Sequence, residues 1–204
     1  MQLQGLVGEQ RNSNGVSPVG LRQLPQGDLA VSELHARYFE QGRAGNVFSA
    51  ASQAATSVSA GLATTYTGLL LYNPVGSGVM LVPSKVKYAL SAAPAAAANI
   101  GLIAGFAPAG GVSALTTRLA NQSSQIGNAS IGKAIALSAA TITTPTWLFE
   151  LYDAFTAAAF PSPTPPVDLE GIYQILPGGF IAIGATTAVS GLGVIVWEEV
   201  PITA

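Results

Sequence analysis

Residues 69–90 read LLLYNPVGSGVMLVPSKVKYAL, two apolar runs on either side of the turn formers Asn73, Pro74, Val75, Gly76, Ser77 and Gly78. Proline fixes one backbone angle, and Gly76 and Gly78 accept the positive φ of a tight reversal. In the second run Val82, Ser84, Val86 and Tyr88 alternate with Pro83, Lys85 and Lys87. A period of two in a β-branched and aromatic stretch marks a strand with one buried face. The stretch predicts a β-hairpin, and the rest of the chain is expected to be an all-β assembly around it.

Toward the C-terminus, strand candidates recur at short intervals: 100–106, 115–119, 135–142 and 146–152, then 172–176, 180–184 and 191–197. Turn chemistry separates them, notably at 108–111 and at Pro177-Gly178-Gly179. Residues 91–98, SAAPAAAA, are rich in alanine, but Pro94 in the middle allows no more than a weak helix. Residues 121–133 form a polar loop whose two Asn-X-Ser patterns read as chance matches, and 161–166, PSPTPP, is a stiff extended connector. Toward the N-terminus, 50–65 is a small-residue connection with short strand pieces. Residues 29–48 fit helical spacing (Val31, Leu34, Tyr38, with Glu33 and Arg37 four apart) and strand alternation equally well. Residues 1–28 have no period and read as an arm. The total is about eight to ten short strands, the spacing of a β-sandwich. The expected architecture is a jelly-roll-like β-sandwich over 46–204, preceded by an extended N-terminal arm and charged segment over 1–45.

The composition bears on function. Charged residues make up 9% of the 204 residues and hydrophobic ones 49%, against about 25% charged in an average domain. A surface so poor in charge is expected to be covered by neighbours in an oligomer or shell, the alternative being a neutral surface of Ala, Gly, Ser and Thr. The net charge of −2 gives no electrostatic case for nucleic acid or an anionic membrane. The windows 88–117 and 171–197 carry no charge, yet prolines and glycines interrupt both, so neither reads as a spanning helix. No secretory signal is expected from the first residues, MQLQGLVGEQ. There is no cysteine, which removes disulfides, thiol catalysis and most zinc chemistry.

Catalytic patterns are missing in the sequence. His35 is the one histidine, without a nucleophile elbow or zinc-protease spacing around it. Glu150, Asp153, Asp168, Glu170, Glu198 and Glu199 are the acids beyond position 48, expected at loop ends and strand edges. A carboxylate pair among them would suffice for glycoside hydrolysis, and Asp153, Asp168 and Glu170 for calcium, but no calcium-loop pattern is present. Lys85 and Lys87 mark a wet face. The expectation is no catalytic residue, no metal and no cofactor.

Three segments, VSELHARYFEQGRAGNVFSA, the 69–90 stretch and PGGFIAIGATTAVSGLGVIVWEEVPI, resemble small structural proteins of tailed bacteriophages, of the head-decoration, spike and fibre-base kinds. They cover about a third of the chain by length. The resemblance implies a jelly-roll domain, often trimeric, on the outside of a capsid or in the tail. The chain is therefore expected to be a non-enzymatic capsid decoration or cement protein of the virion, assembled in the host cytoplasm. Its expected partners are itself, as a homotrimer, and the major capsid protein or other virion proteins, with no nucleic acid and no membrane. Val31, Leu34, Tyr38 and Phe39 are the expected subunit interface. The alternatives are a tail or fibre module that binds host-surface glycans in a groove among loops 121–133 and 153–168, and a carboxylate-based glycan hydrolase.

Overall fold

A computed structural model describes residues 38–106, 112–154 and 166–202, together with the backbone of 11–12 and 15–16. The chain divides into two units, Met1–Phe39 and Glu40–Ala204. In the first, β1 (Arg11–Asn12) pairs antiparallel with β2 (Gly15–Val16). Helix α1 (Phe39–Arg43) resolves the end of the ambiguous 29–48 stretch as one helical turn before the first long-range strand.

The remaining strands are β3 (Val47–Ala51), β4 (Thr56–Val58), β5 (Thr65–Tyr72), β6 (Val79–Leu90), β7 (Ala98–Phe106), β8 (Val112–Ala114), β9 (Asn121–Ser123), β10 (Ile135–Ile142), β11 (Thr146–Ala154), β12 (Val167–Asp168), β13 (Gly179–Ala185) and β14 (Val189–Pro201). They form two antiparallel sheets, β11-β7-β13-β5-β10-β8 and β12-β6-β14-β3-β9, with β4 also on β14. The order has a simple origin. Strands β3, β5, β6 and β7 run out, and β11, β12, β13 and β14 return, pairing as β3·β14, β5·β13, β6·β12 and β7·β11. Rolling this long hairpin on itself adds the pairs β14·β6 and β13·β7. The result is a jelly-roll β-sandwich, an architecture that leaves little open sheet edge. Strands β8, β9 and β10, inserted between β7 and β11, widen both sheets.

The core lies between the sheets. Trp197 stacks on Phe48 with ring centroids 6.1 Å apart, and Ile183 and Leu69 of one sheet meet the backbone of Gly193 in the other. Tyr66 reaches across its own sheet to donate to Ile183 O at 2.7 Å. Strand β13 is buried on both faces along its length.

The hairpin expectation for 69–90 is wrong in its pairing. Strand β5 lies in one sheet and β6 in the other, so 73–78 crosses the sandwich instead of joining neighbours. Turn formers say that the chain reverses, not which strand it pairs with. That choice is made by Asn73, fully buried, whose Nδ2 donates to Val79 O and Ile175 O at 2.8 Å each. Its backbone N–H and C=O close on Gly179 O and Gly178 N, fastening the crossover to the turn before β13. The alternation of β6 is also broken. Pro83 pairs with Trp197 and Lys85 with Val196, leaving Ser84 as an extra residue. This bulge sits where proline has no N–H to give, and it turns Leu81 and Pro83 inward along with Ser84, Val86 and Tyr88.

Three smaller expectations need correction. Residues 115–119 are not a strand: Leu115 and Leu119 reach Ala139 O and Ala136 O, with the chain looped out between them, and the strand is β8 just before. Residues 172–176 bear only an Ile175–Leu81 bridge, because Glu170 (φ 49°) and Gly171 (φ 78°) turn the chain there. The 121–133 loop is partly a strand, β9, whose Asn121 is buried.

Candidate functional site

Strand β11 is the edge of its sheet, and it is irregular. Its nine residues face seven of β7, because Leu148 and Leu151 are each inserted without a partner. Each bulge shifts the side-chain alternation by one. Trp147, Glu150 and Asp153 consequently lie opposite Ile103, Gly101 and Asn99, alternate positions of β7 on one face of the sheet. Phe149 and Tyr152 lie opposite Leu102 and Ile100, on the other face. Tyr152 confirms that this face is the inner one by donating its hydroxyl to Tyr88 O of the second sheet at 3.0 Å.

On the outward face Trp147 rests on a floor of two paired glycines. A Cβ on Gly184 would come within 3.3 Å of the indole ring, and one on Gly101 within 3.1 Å of the ring and 2.4 Å of Phe149 O. The indole is nevertheless 41% exposed. Around it, Asn99 donates through Nδ2 to Glu150 Oε1 at 2.9 Å and to Asp153 Oδ1 at 2.6 Å. The Asn99 backbone N–H donates to Thr186 Oγ1 at 2.9 Å. Trp147, Asn99, Glu150 and Thr186 line a groove of about 410 Å³. A second groove of about 400 Å³ lies on the other side of Leu148, lined among others by Phe106, Tyr173, Leu176 and residues 179–181. This one is apolar, with Phe106 60% and Leu176 55% exposed.

A third cluster is buried. The Glu199 carboxylate accepts from the backbone N–H of Lys133 at 2.8 Å and of Ala134 at 2.9 Å, and from Trp197 Nε1 at 3.3 Å. Arg118 donates to Ala134 O, and Asn121 Nδ2 donates to Ile131 O at 3.0 Å and Ala134 O at 2.9 Å. Gly132 takes φ +66°, and a Cβ there would lie 2.5 Å from Glu199 Oε1. The Glu199 bonds to Lys133 and Ala134 fasten the 124–134 loop to β14, while Arg118 and Asn121 hold the same loop from the segment before it, so Glu199 is a structural clamp. Burial lowers the Arg118 guanidinium from its ordinary value, and Glu199 pulls it back upward. Burial raises the Glu198 carboxyl. The Tyr66 and Tyr88 hydroxyls are pushed up by burial first and then by a neighbouring tyrosine, Tyr88 and Tyr152 respectively.

Among the expected interface residues, Val31 and Leu34 lie outside the described residues, as does His35. Tyr38 is half-buried and Phe39 is 42% exposed at the start of α1. Of the acids, Glu150 and Asp153 are tied to each other through Asn99. Asp168 pairs with Lys85 at 3.3 Å on the surface, and Lys87 is exposed, as a wet face requires. Among the described residues no group of three His, Cys, Asp or Glu side chains is placed to hold a metal, and no helix is long and apolar enough to cross a membrane. Sequence reasoning missed the Trp147-Glu150-Asp153 line because period-two alternation puts Glu150 on the opposite face from the other two. The available signal was the apolar run WLFELY on a strand that cannot be buried on both sides at an edge. Comparisons with protein-family models, with curated proteins and with solved structures return no match.

Proposed function

We propose that this chain is a structural protein of a tailed-bacteriophage virion, a capsid decoration or cement protein that assembles as a homotrimer on the major capsid protein. The observation that carries this reading is the apolar groove beside β11. Phe106, Leu148 and Leu176 are large apolar side chains, all exposed, gathered around one concave patch of a protein with few charges. Such patches on soluble proteins mark contacts with other proteins. These side chains are about half exposed, so covering them would contribute roughly half of the 1.5–3 kcal/mol of a full burial each, and a stable trimer needs further contact area around this patch to offset the cost of association.

The jelly roll suits this role because its rigid double sheet presents strand edges and loops without needing a deep active site. The virion assignment itself rests on the three sequence segments that resemble phage structural proteins. Sedimentation velocity of the purified protein, alone and with isolated capsids lacking it, tests both halves. Trimers that bind the capsid lattice are expected. A protein that stays monomeric and leaves capsids bare removes the reading.

A further inference from the structure

We infer that the outward face of β7, β11 and β13 is a binding site for a neutral saccharide, with Trp147 as the stacking platform. The two bulges of β11 bring an aromatic ring and two carboxylates into line at three-residue intervals. The paired glycines beneath the indole leave room for it to lie against backbone, and its exposed portion faces the groove. A flat apolar ring surrounded by hydrogen-bonding groups matches a pyranose, whose C–H face is apolar and whose rim carries hydroxyls. Glu150 and Asp153 each retain acceptor positions beyond the bond from Asn99, since a carboxylate accepts about four hydrogen bonds. Thr186 adds a hydroxyl at the groove wall.

Charge narrows the ligand. The groove lining includes Glu150 and no lysine or arginine, so an anionic ligand is disfavoured. An ammonium group would stack on indole and pair with carboxylates, but the Asn99 amide already sits between Glu150 and Asp153 where that cation would go. The cavity, about 410 Å³, falls at the lower end of small-ligand sites.

The test is saturation-transfer NMR on the full chain with cellohexaose, hexa-N-acetylchitohexaose, maltohexaose, mannohexaose and a lysine hexapeptide as separate probes, paired with acrylamide quenching of tryptophan fluorescence. Trp197 is fully buried, so quenching by acrylamide reports on Trp147. At least one hexasaccharide is expected to give saturable transfer and to shield Trp147. Affinity is expected to fall tenfold or more in Trp147→Ala and several-fold in Glu150→Gln, and to hold within twofold in Lys87→Ala, an exposed position of the other sheet. Trp147→Phe keeps a ring on the glycine floor and is expected to restore part of the binding, which a purely structural tryptophan would not explain. Should Trp147→Ala fail to fold, Asp153→Asn and Glu150→Gln on the exposed rim carry the comparison. Absence of transfer from all four saccharides, undiminished binding in the folded variants, or binding of the lysine peptide alone would each overturn the assignment.

Discussion

Glu199 shows how a single side chain holds an inserted loop. Its carboxylate takes three N–H groups, of which those of Ala134 and Trp197 are buried. Glu199→Ala is expected to cost about 2–3 kcal/mol, because these two donors stay buried and unpaired; a urea titration with the midpoint unchanged would contradict this. Asn73→Ala removes two donations, the one to Ile175 O buried, and is expected to cost about 2 kcal/mol in the same measurement. The exposed Lys85–Asp168 pair is a contrast: Lys85→Ala is expected to stay within about 0.5 kcal/mol of the parent. Tyr66 and Tyr88 give the pH dependence. Their folded-state values are raised above the ordinary 10.0, so their contribution is fully present below about pH 10 and is lost as pH rises beyond it. Thermal melts should hold steady up to that pH and then fall, with tyrosinate absorbance from these two groups appearing only as the protein unfolds. At this scale the sequence was least readable. Glu199 and Asn73 look like ordinary strand-end and turn residues, and only the packing of distant segments makes them buried partners.

Individual strands were far more legible than their pairing. The apolar runs at 135–142, 146–152 and 180–184 fall on β10, β11 and β13, because a β-branched or aromatic run between turn formers has few other conformations. Pairing depends on segments a hundred residues away, so 69–90 could be read as two strands but not as a crossover between sheets. Bulges are equally invisible to a period-two count, and they decide the face that Glu150 and Ser84 occupy. Gly101 is where the site can be tested as an element. A Cβ there would stand 2.4 Å from Phe149 O, so Gly101→Ala is expected to force β11 away from β7. The predicted result is a loss of about 1–3 kcal/mol with greater acrylamide access to Trp147; a variant with parental stability and quenching would show that the floor is not needed.

At the scale of the whole molecule, the sandwich and its jelly-roll winding follow the expectation from strand count and spacing. Glu199 and Asn121 anchor the 121–133 loop, and β11 carries grooves on both of its sides. One face, with Phe106 and Leu176, is apolar and suited to another protein; the other, with Trp147 and its polar rim, is suited to a small hydroxyl-rich ligand. A protein with both would join its own copies through one groove and hold a saccharide in the other. The most direct measurement is sedimentation velocity across a hundredfold concentration range, comparing the parent with Phe106→Asp and Leu176→Asp. The parent is expected to sediment as a trimer and both variants as monomers of unchanged fold. A parent that remains monomeric throughout, or variants that assemble as it does, would contradict this.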